Sequence, residues 1–187
     1  MRKEIEQIKN LTLVCVRDLN EVYKAIDENA RTLIEAVAAE RQLPLFRKLK
    51  EIASSYAEKI DNASTELENT FKSSARIKAA DIDLDMLNVI KTLEPTAGEL
   101  SEICKDYENN QTMLRLIREY SKNNKIHDVE IPAIMADRVV ALNKMCKDLK
   151  DCARIAADYS SPLRAKQLEY IANNFENAFA SQLAIIG

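Results

Sequence analysis

Residues 4–41 read EIEQIKNLTLVCVRDLNEVYKAIDENARTLIEAVAAER, with no Gly and no Pro among them. Ile5, Ile8, Leu11, Cys15, Leu19, Val22, Ile26, Leu33 and Val37 recur at steps of three and four, apart from a gap at Asn29 and Ala30. That spacing places them on one slowly drifting stripe of an α-helix. A helix of this kind is marginal alone in water and becomes stable when its apolar face is covered. The pattern predicts a helix from Lys3 to Gln42, stopped ahead of Pro44. At about 1.5 Å per residue it would be roughly 55 to 60 Å long.

Pro44 suits the first turn of a following helix. Behind it Leu45, Phe46, Leu49, Ile52, Ala53, Tyr56, Ile60, Ala63, Leu67 and Phe71 form a matching apolar face, and this second rod should end between Ser73 and Ala80. A connection of about two or three residues favours an antiparallel helical hairpin, zipped along the two stripes. Beside the main stripe lies a second apolar flank, Leu13, Val16 and Tyr23. Either later helices cover that flank or another copy of the chain does.

The remaining sequence carries the same signature. Of 187 residues two are Gly (Gly98 and Gly187), four are Pro and none is Trp, while 47% are hydrophobic and 30% charged. Such a composition favours helix throughout and points to an all-α fold, an elongated helical bundle with a single sizeable core or a bundle with a smaller appendage. A net charge of −3 argues against wholesale coating of nucleic acid. Cys15, Cys104, Cys146 and Cys152 show no C-x-x-C spacing, so a reduced cytosolic setting is expected. Charges interrupt the N-terminal apolar residues every few positions, unlike a signal peptide or a membrane span.

After the hairpin the elements shorten. Asp81, Asp83 and Asp85 sit where a helix starts, and Met86, Leu87, Ile90 and Leu93 continue it up to Pro95. Thr96 with Glu99 three residues later is a capping-box pattern for the next helix, interrupted at Asn109-Asn110 and resumed from Gln111 to Asn123. Pro132 should open a third long helix ending near Ser160, and Ser161-Pro162 should start a last one through Leu168, Ile171, Phe175, Phe179 and Leu183. The expected organisation is a long helical hairpin over 1–80, a lobe of short helices over 81–128 and a C-terminal helical hairpin over 129–187.

Chemistry-bearing patterns are sparse. Asp81, Asp83 and Asp85 have the spacing of the first EF-hand ligands, but Met86 stands where the turn needs Gly and Thr92 where the bidentate Glu belongs. A di-iron bundle needs Glu-x-x-His twice, and the one histidine, His127, follows Asn124 at that spacing. His127 beside Asp128 is read as a solvated loop residue, since adjacency in sequence does not make a dyad. Gly-rich phosphate loops, nucleophile elbows and zinc signatures do not occur. No catalytic residue, metal or cofactor is therefore expected.

Two short helices meeting at Asn109-Asn110 have the lengths of a helix-turn-helix, and the second carries Arg115, Arg118, Lys122 and then Lys125. On DNA these cations would touch phosphates, with Gln111 and Thr112 near base edges. Glu99, Glu102, Asp106, Glu108 and Glu119 offset them, which favours a solvated basic face or internal ion pairs. Residues 177–187 carry no charged side chain and include Phe179, Leu183, Ile185 and Ile186; they either tuck into the protein's own core or form a tail for a partner. The candidate partner-binding residues are thus Leu13, Val16, Tyr23, Arg115, Arg118, Lys122, Phe179 and Ile185.

The string Glu99-Leu100 … Tyr107-Glu108-Asn109-Asn110-Gln111-Thr112-Met113-Leu114-Arg115 … Tyr120-Ser121-Lys122-Asn123 resembles stretches of small helical proteins encoded among the virion-assembly genes of phages of Gram-positive bacteria. The resemblance implies a phage structural or assembly accessory role in the host cytoplasm or the virion, and it transfers no catalytic residue. The expectation is a non-enzymatic protein that associates through helices, with itself as a homo-oligomer or with another protein, and with no membrane partner. The alternatives are a DNA-binding regulator using residues 99–125 and a phage inhibitor of a host defence protein.

Overall fold

A computed structural model of the chain describes residues 2–161 and 163–187, without the side chain of Arg2. Among the described residues there are nine α-helices and no strand. They are α1 (Arg2–Thr32), α2 (Glu35–Ser74), α3 (Leu84–Leu93), α4 (Ala97–Asp106), α5 (Gln111–Asn123), α6 (Met135–Ala156), α7 (Lys166–Asn173), α8 (Phe175–Ala178) and α9 (Ala180–Ile186), with a 3-10 turn at Ala79–Asp81. The fold is all-α, with a long N-terminal helical hairpin. The chain divides into two compact units. Unit 1 combines Met1–Glu68 with Ala141–Ile185, and unit 2 is Asn69–Val140.

Within unit 1, α1 and α2 run antiparallel: Thr12 Oγ1 is 2.9 Å from the Tyr56 hydroxyl, and Gln42 Nε2 donates to the Ile26 carbonyl at 3.4 Å. The corner lies earlier than the proline suggests. α1 ends at Thr32 and α2 begins at Glu35, so Pro44 is an interior residue of α2 and the turn is made by Leu33 and Ile34. The gap in the apolar series at Asn29 and Ala30 is the sequence mark of that corner. Leu33 N–H closes α1 on the Asn29 carbonyl at 3.1 Å, and the Ile34 carbonyl accepts from Ala38 at 2.9 Å to open α2. An interior proline costs a helix about 3 kcal/mol, mainly through a lost hydrogen bond and a clash. Here Pro44 and Glu40 are both exposed, so water can satisfy the carbonyl left without its donor.

The other two segments of unit 1 continue the alternation. Lys150 on α6 pairs with Asp61 on α2 at 2.5 Å, and the Tyr159 ring beyond α6 lies 4.7 Å from Phe46 near the other end of the same contact. Arg164 pairs with Asp27 at 3.0 Å and Glu176 with Lys9 at 2.6 Å, so the chain from Arg164 through α8 descends along α1. The result is an up-down-up-down four-helix arrangement. Ile8, Leu19, Ile26, Leu49, Ile60, Leu142, Met145, Leu149 and Leu168 are wholly buried, at 0% exposure.

The last segment is three helices where the sequence predicts one. Asn174 and Phe179 leave helical geometry, at φ −122 and −118, yet their N–H groups still donate to Tyr170 and Phe175 at 3.0 and 3.1 Å. The Asn174 side chain also donates to the Tyr170 carbonyl at 3.0 Å, a local bond that competes with the regular ladder. α7 starts at Lys166 rather than at Ser161-Pro162, and Pro162 itself lies outside the described residues.

Unit 2 is built around Ile90, Leu100, Cys104, Leu114, Ile117 and Ile134. Each short helix is capped by a named side chain. Asp83 accepts from Met86 N–H at 2.9 Å to start α3, Thr96 and Glu99 form a capping box on α4, and Asn110 accepts from Met113 N–H at 3.0 Å to start α5. Tyr107 donates its hydroxyl to Asp83, and Asn110 Nδ2 donates to the Asp81 carbonyl at 2.7 Å, which ties the caps together. The connector after α5 is a packed strap. Ile126, Val129 and Ile131 lie on the core, and Glu130 N–H donates to Ser101 Oγ at 2.8 Å. For this reason unit 2 extends past the expected boundary at 128 to Val140. α6 opens at Met135, three residues after Pro132, with Asp137 accepting from Ile134 N–H at 3.0 Å.

An interior Pro44 makes a specific demand. Replacing it by Ala should raise stability by about 2 kcal/mol, the helix gain less the entropy returned to the unfolded chain. The check is a higher urea midpoint at unchanged slope. Were Pro44 the first residue of a helix, the same change would leave the midpoint where it was or lower it.

Candidate association surfaces

α5 was the sequence's candidate DNA-reading helix, and unit 2 uses most of its polar groups internally. Gln111 Oε1 accepts from Met135 N–H at 2.9 Å, and Thr112 Oγ1, buried, receives Lys78 N–H at 3.4 Å. Arg118 makes a two-pronged ion pair with Asp137, Nη1 to Oδ1 at 2.9 Å and Nη2 to Oδ2 at 2.6 Å. Arg115 donates one N–H to the Ala75 carbonyl at 3.1 Å and is otherwise exposed. Lys122 and Lys125 are exposed. The two residues expected at base edges and the central cation are thus parts of the fold.

The apolar candidates divide similarly. Val16, Tyr23 and Phe179 are buried by their own chain, which corrects their reading as partner-facing. Tyr23 donates its hydroxyl to the Ala156 carbonyl at 2.6 Å, and Phe179 packs on Phe175 with ring centroids 5.1 Å apart. The chain itself therefore covers the flank at Val16 and Tyr23 but not at Leu13. Leu13 and Ile185 remain exposed.

Sequence reasoning missed a groove in unit 1. It lies between α2 and the C-terminal part of α6, with a volume of about 990 Å³. Small side chains, Ala53, Ala57 and Ala157, leave the space, and Phe46, Ile155 and Tyr159 give it an apolar lining. Ile155 and Tyr159 are 39% and 37% exposed. Lys50, Lys150 and Arg154 stand with Asp151 and Asp158 around it. Its signal in the sequence is the width of the α6 stripe, where Ile155 falls beside Ala156 and Cys152, more apolar surface than neighbouring helices can cover.

One wall is held by an aromatic cluster. The Tyr159 ring contacts Phe46 at 4.7 Å and lies 6.4 Å from Tyr23, while the Arg164 guanidinium sits 5.1 and 5.2 Å from the Tyr23 and Tyr159 centroids. Asp27 accepts both bonds of that guanidinium, at 3.0 and 3.1 Å. Beside it Asp158 accepts from the Ser160 hydroxyl and N–H at 2.7 and 3.0 Å, and these bonds hold its carboxyl below the usual carboxylate range. Aromatic anchors fixed this way cost little entropy when a partner docks.

Three of the four cysteines are core residues. All four are free thiols, and Cys15, Cys104 and Cys146 are buried. Burial pushes the Cys15 thiol up to about 12 and that of Cys146 up to about 11, which leaves almost no thiolate near neutral pH. Among the described residues no group of three or more His, Cys, Asp or Glu side chains is placed to hold a metal ion. No described helix is long and apolar enough to cross a membrane.

Two measurements check these assignments. A thiol reagent applied to the native protein should modify half-buried Cys152 first, and Cys15, Cys104 and Cys146 only in denaturant; fast modification of Cys146 would contradict the packing of α6. Arg118 first, then the Ile134 N–H, holds the Asp137 carboxyl below its ordinary 3.8, so its contribution is complete above that pH and is lost as pH falls through the lower folded value. Because both side chains are 34% exposed, the pair should be worth about 1 kcal/mol or less. Asp137→Asn should lower stability at neutral pH and flatten its decline below pH 4, about the ordinary carboxyl value. Comparison with family models, with curated proteins and with solved structures finds no match for the chain.

Proposed function

We propose that this chain is a non-enzymatic protein-association module and that the α2/α6 groove of unit 1 takes an amphipathic helix of a partner protein. The observation that carries this reading is the groove's composition: exposed Ile155 and Tyr159 beside Phe46, over a floor of alanines, with charges of both signs around them. An apolar, aromatic centre with a polar rim is the anatomy of protein interfaces. A helix laid into such a groove is read through residues at steps of three and four. The stretch from Phe46 to Ala57 gives about three helical turns of contact, roughly 17 Å. The pairing of Lys150 with Asp61 and of Arg154 with Asp151 keeps the rim nearly neutral, so it sets register more than affinity.

The resemblance of residues 99–125 to small helical proteins of phage virion-assembly genes supports placing this association in particle assembly. The DNA-binding alternative loses support, since Gln111, Thr112 and Arg118 are engaged within unit 2. A host-defence inhibitor would use the same groove, and stoichiometry separates the two. An assembly protein is retained in fixed ratio by particles or their precursors, an inhibitor is not.

The groove is tested by a photo-crosslinking side chain at Ser54 during particle production, paired with Ala57→Arg. The expected result is one crosslinked protein of the particle, lost in the Ala57→Arg chain while its helical circular dichroism is unchanged. No crosslink at Ser54, or the same crosslink in both chains, would sink the assignment.

A further inference from the structure

Unit 2 carries a second concave surface of different character. A slot of about 320 Å³ lies where the end of α2, α5 and the start of α6 meet. Phe71, Ala75, Met135 and Val139 make it apolar, and among the described residues the charged ones lining it are Lys72 and Arg115. Arg115 has one N–H on the Ala75 carbonyl, so donors remain on an exposed guanidinium. In a chain of net charge −3 this sets an exposed guanidinium beside an apolar floor. It asks for an apolar side chain with a carboxylate beside it.

The chain itself displays that chemistry on α3. Asp85, Val89 and Leu93 succeed one another at steps of four, so they share one helix face. All three are exposed, Val89 at 45% and Leu93 at 71%, and exposed Glu94 follows directly as the left-handed C-cap at φ 47. Two apolar side chains thus stand between two acids. Within one copy the slot is open and this face is solvated, so neither occupies the other.

We propose that the slot beside Arg115 binds the Asp85–Val89–Leu93–Glu94 face of α3 from a second copy of the chain. Leu93 fills the apolar floor and Glu94 pairs with Arg115. Slot and helix face are different patches, so the contact is heterologous and repeats from copy to copy, closing into a ring or growing as a filament. The buried surface is small, which makes the association weak and concentration-dependent. It is independent of the α2/α6 groove, and either site can stand without the other.

The test is light scattering and sedimentation of the full chain over a concentration series. The mass should rise with concentration, and Leu93→Lys and Arg115→Glu should each weaken self-association by about tenfold or more. Leu93 is exposed, so its variant keeps the fold even if Arg115→Glu disturbs the Ala75 contact. The double variant Arg115→Glu with Glu94→Arg should recover association. Mixing Leu93→Lys chains with Arg115→Glu chains should give dimers that grow no further, because each retains one intact half. A monomer at every concentration overturns the proposal and leaves the slot to an acidic helix of another protein. Association that neither single variant weakens, or that the charge exchange fails to restore with both variants folded, overturns it equally.

Discussion

The apolar stripe of α1 is the constraint on which unit 1 depends. Ile8, Leu19 and Ile26 are at 0% exposure, and no single neighbour can cover a stripe that drifts around a 31-residue helix. α2 covers it first, through the Thr12–Tyr56 and Ile26–Gln42 contacts, and the C-terminal segment covers the rest through Asp27–Arg164 and Lys9–Glu176. The ion pairs are partly exposed and individually weak, so the burial holds the segments and the pairs fix their direction. With Val16 and Tyr23 buried inside the chain, what α1 still turns outward is Leu13 and Val14, at 38% and 40% exposure.

Periodicity made the helices legible, and local chemistry made their caps legible. Thr96 with Glu99 and the acidic start before α3 act at short range, so pattern and hydrogen bonds coincide there, while Asn110, read only as an interruption, is the cap of α5. Prolines misled. Pro44 reads as a helix start, yet an exposed carbonyl tolerates its missing donor, and the corner follows the gap at Asn29 and Ala30, where nothing requires burial. The basic residues of α5 were legible as charge but not as partners. Asp137 is 19 residues from Arg118 and on another helix, a pairing that only the packing of unit 2 reveals. The groove was hidden for a related reason. Phe46, Ile155 and the alanines follow the same helical period as core residues, and only the arrangement of neighbours leaves a groove beside them.

A buried hydroxyl pair gives the bundle one register. Thr12 and Tyr56 are both buried; Thr12 donates its hydroxyl to the Ile8 carbonyl at 2.9 Å, so the Tyr56 hydroxyl donates to Thr12 Oγ1. Desolvation pushes the Tyr56 phenol upward, as expected for a hydroxyl kept neutral in an apolar interior. Sliding α1 by one turn, about 5.4 Å, would leave Thr12 its bond to Ile8 but strand the Tyr56 hydroxyl, and a buried unsatisfied polar group costs about 1 to 3 kcal/mol. Apolar contacts alone would tolerate such a slip far better, since leucine and isoleucine interdigitate at every turn.

That register reaches the groove. Tyr23 lies three turns along α1 from Thr12 and bonds the Ala156 carbonyl, so the position of α1 sets the end of α6. Tyr159 follows that end, packs on Phe46 and is held under Arg164, whose own partner, Asp27, is again on α1. A one-turn shift of α1 would pull Tyr159 away from Phe46 and dissolve the aromatic wall. The polar pair deep in the bundle and the exposed surface offered to a partner are therefore linked through the same helix, and a chain with a purely apolar α1/α2 seam would hold its core while losing a defined groove.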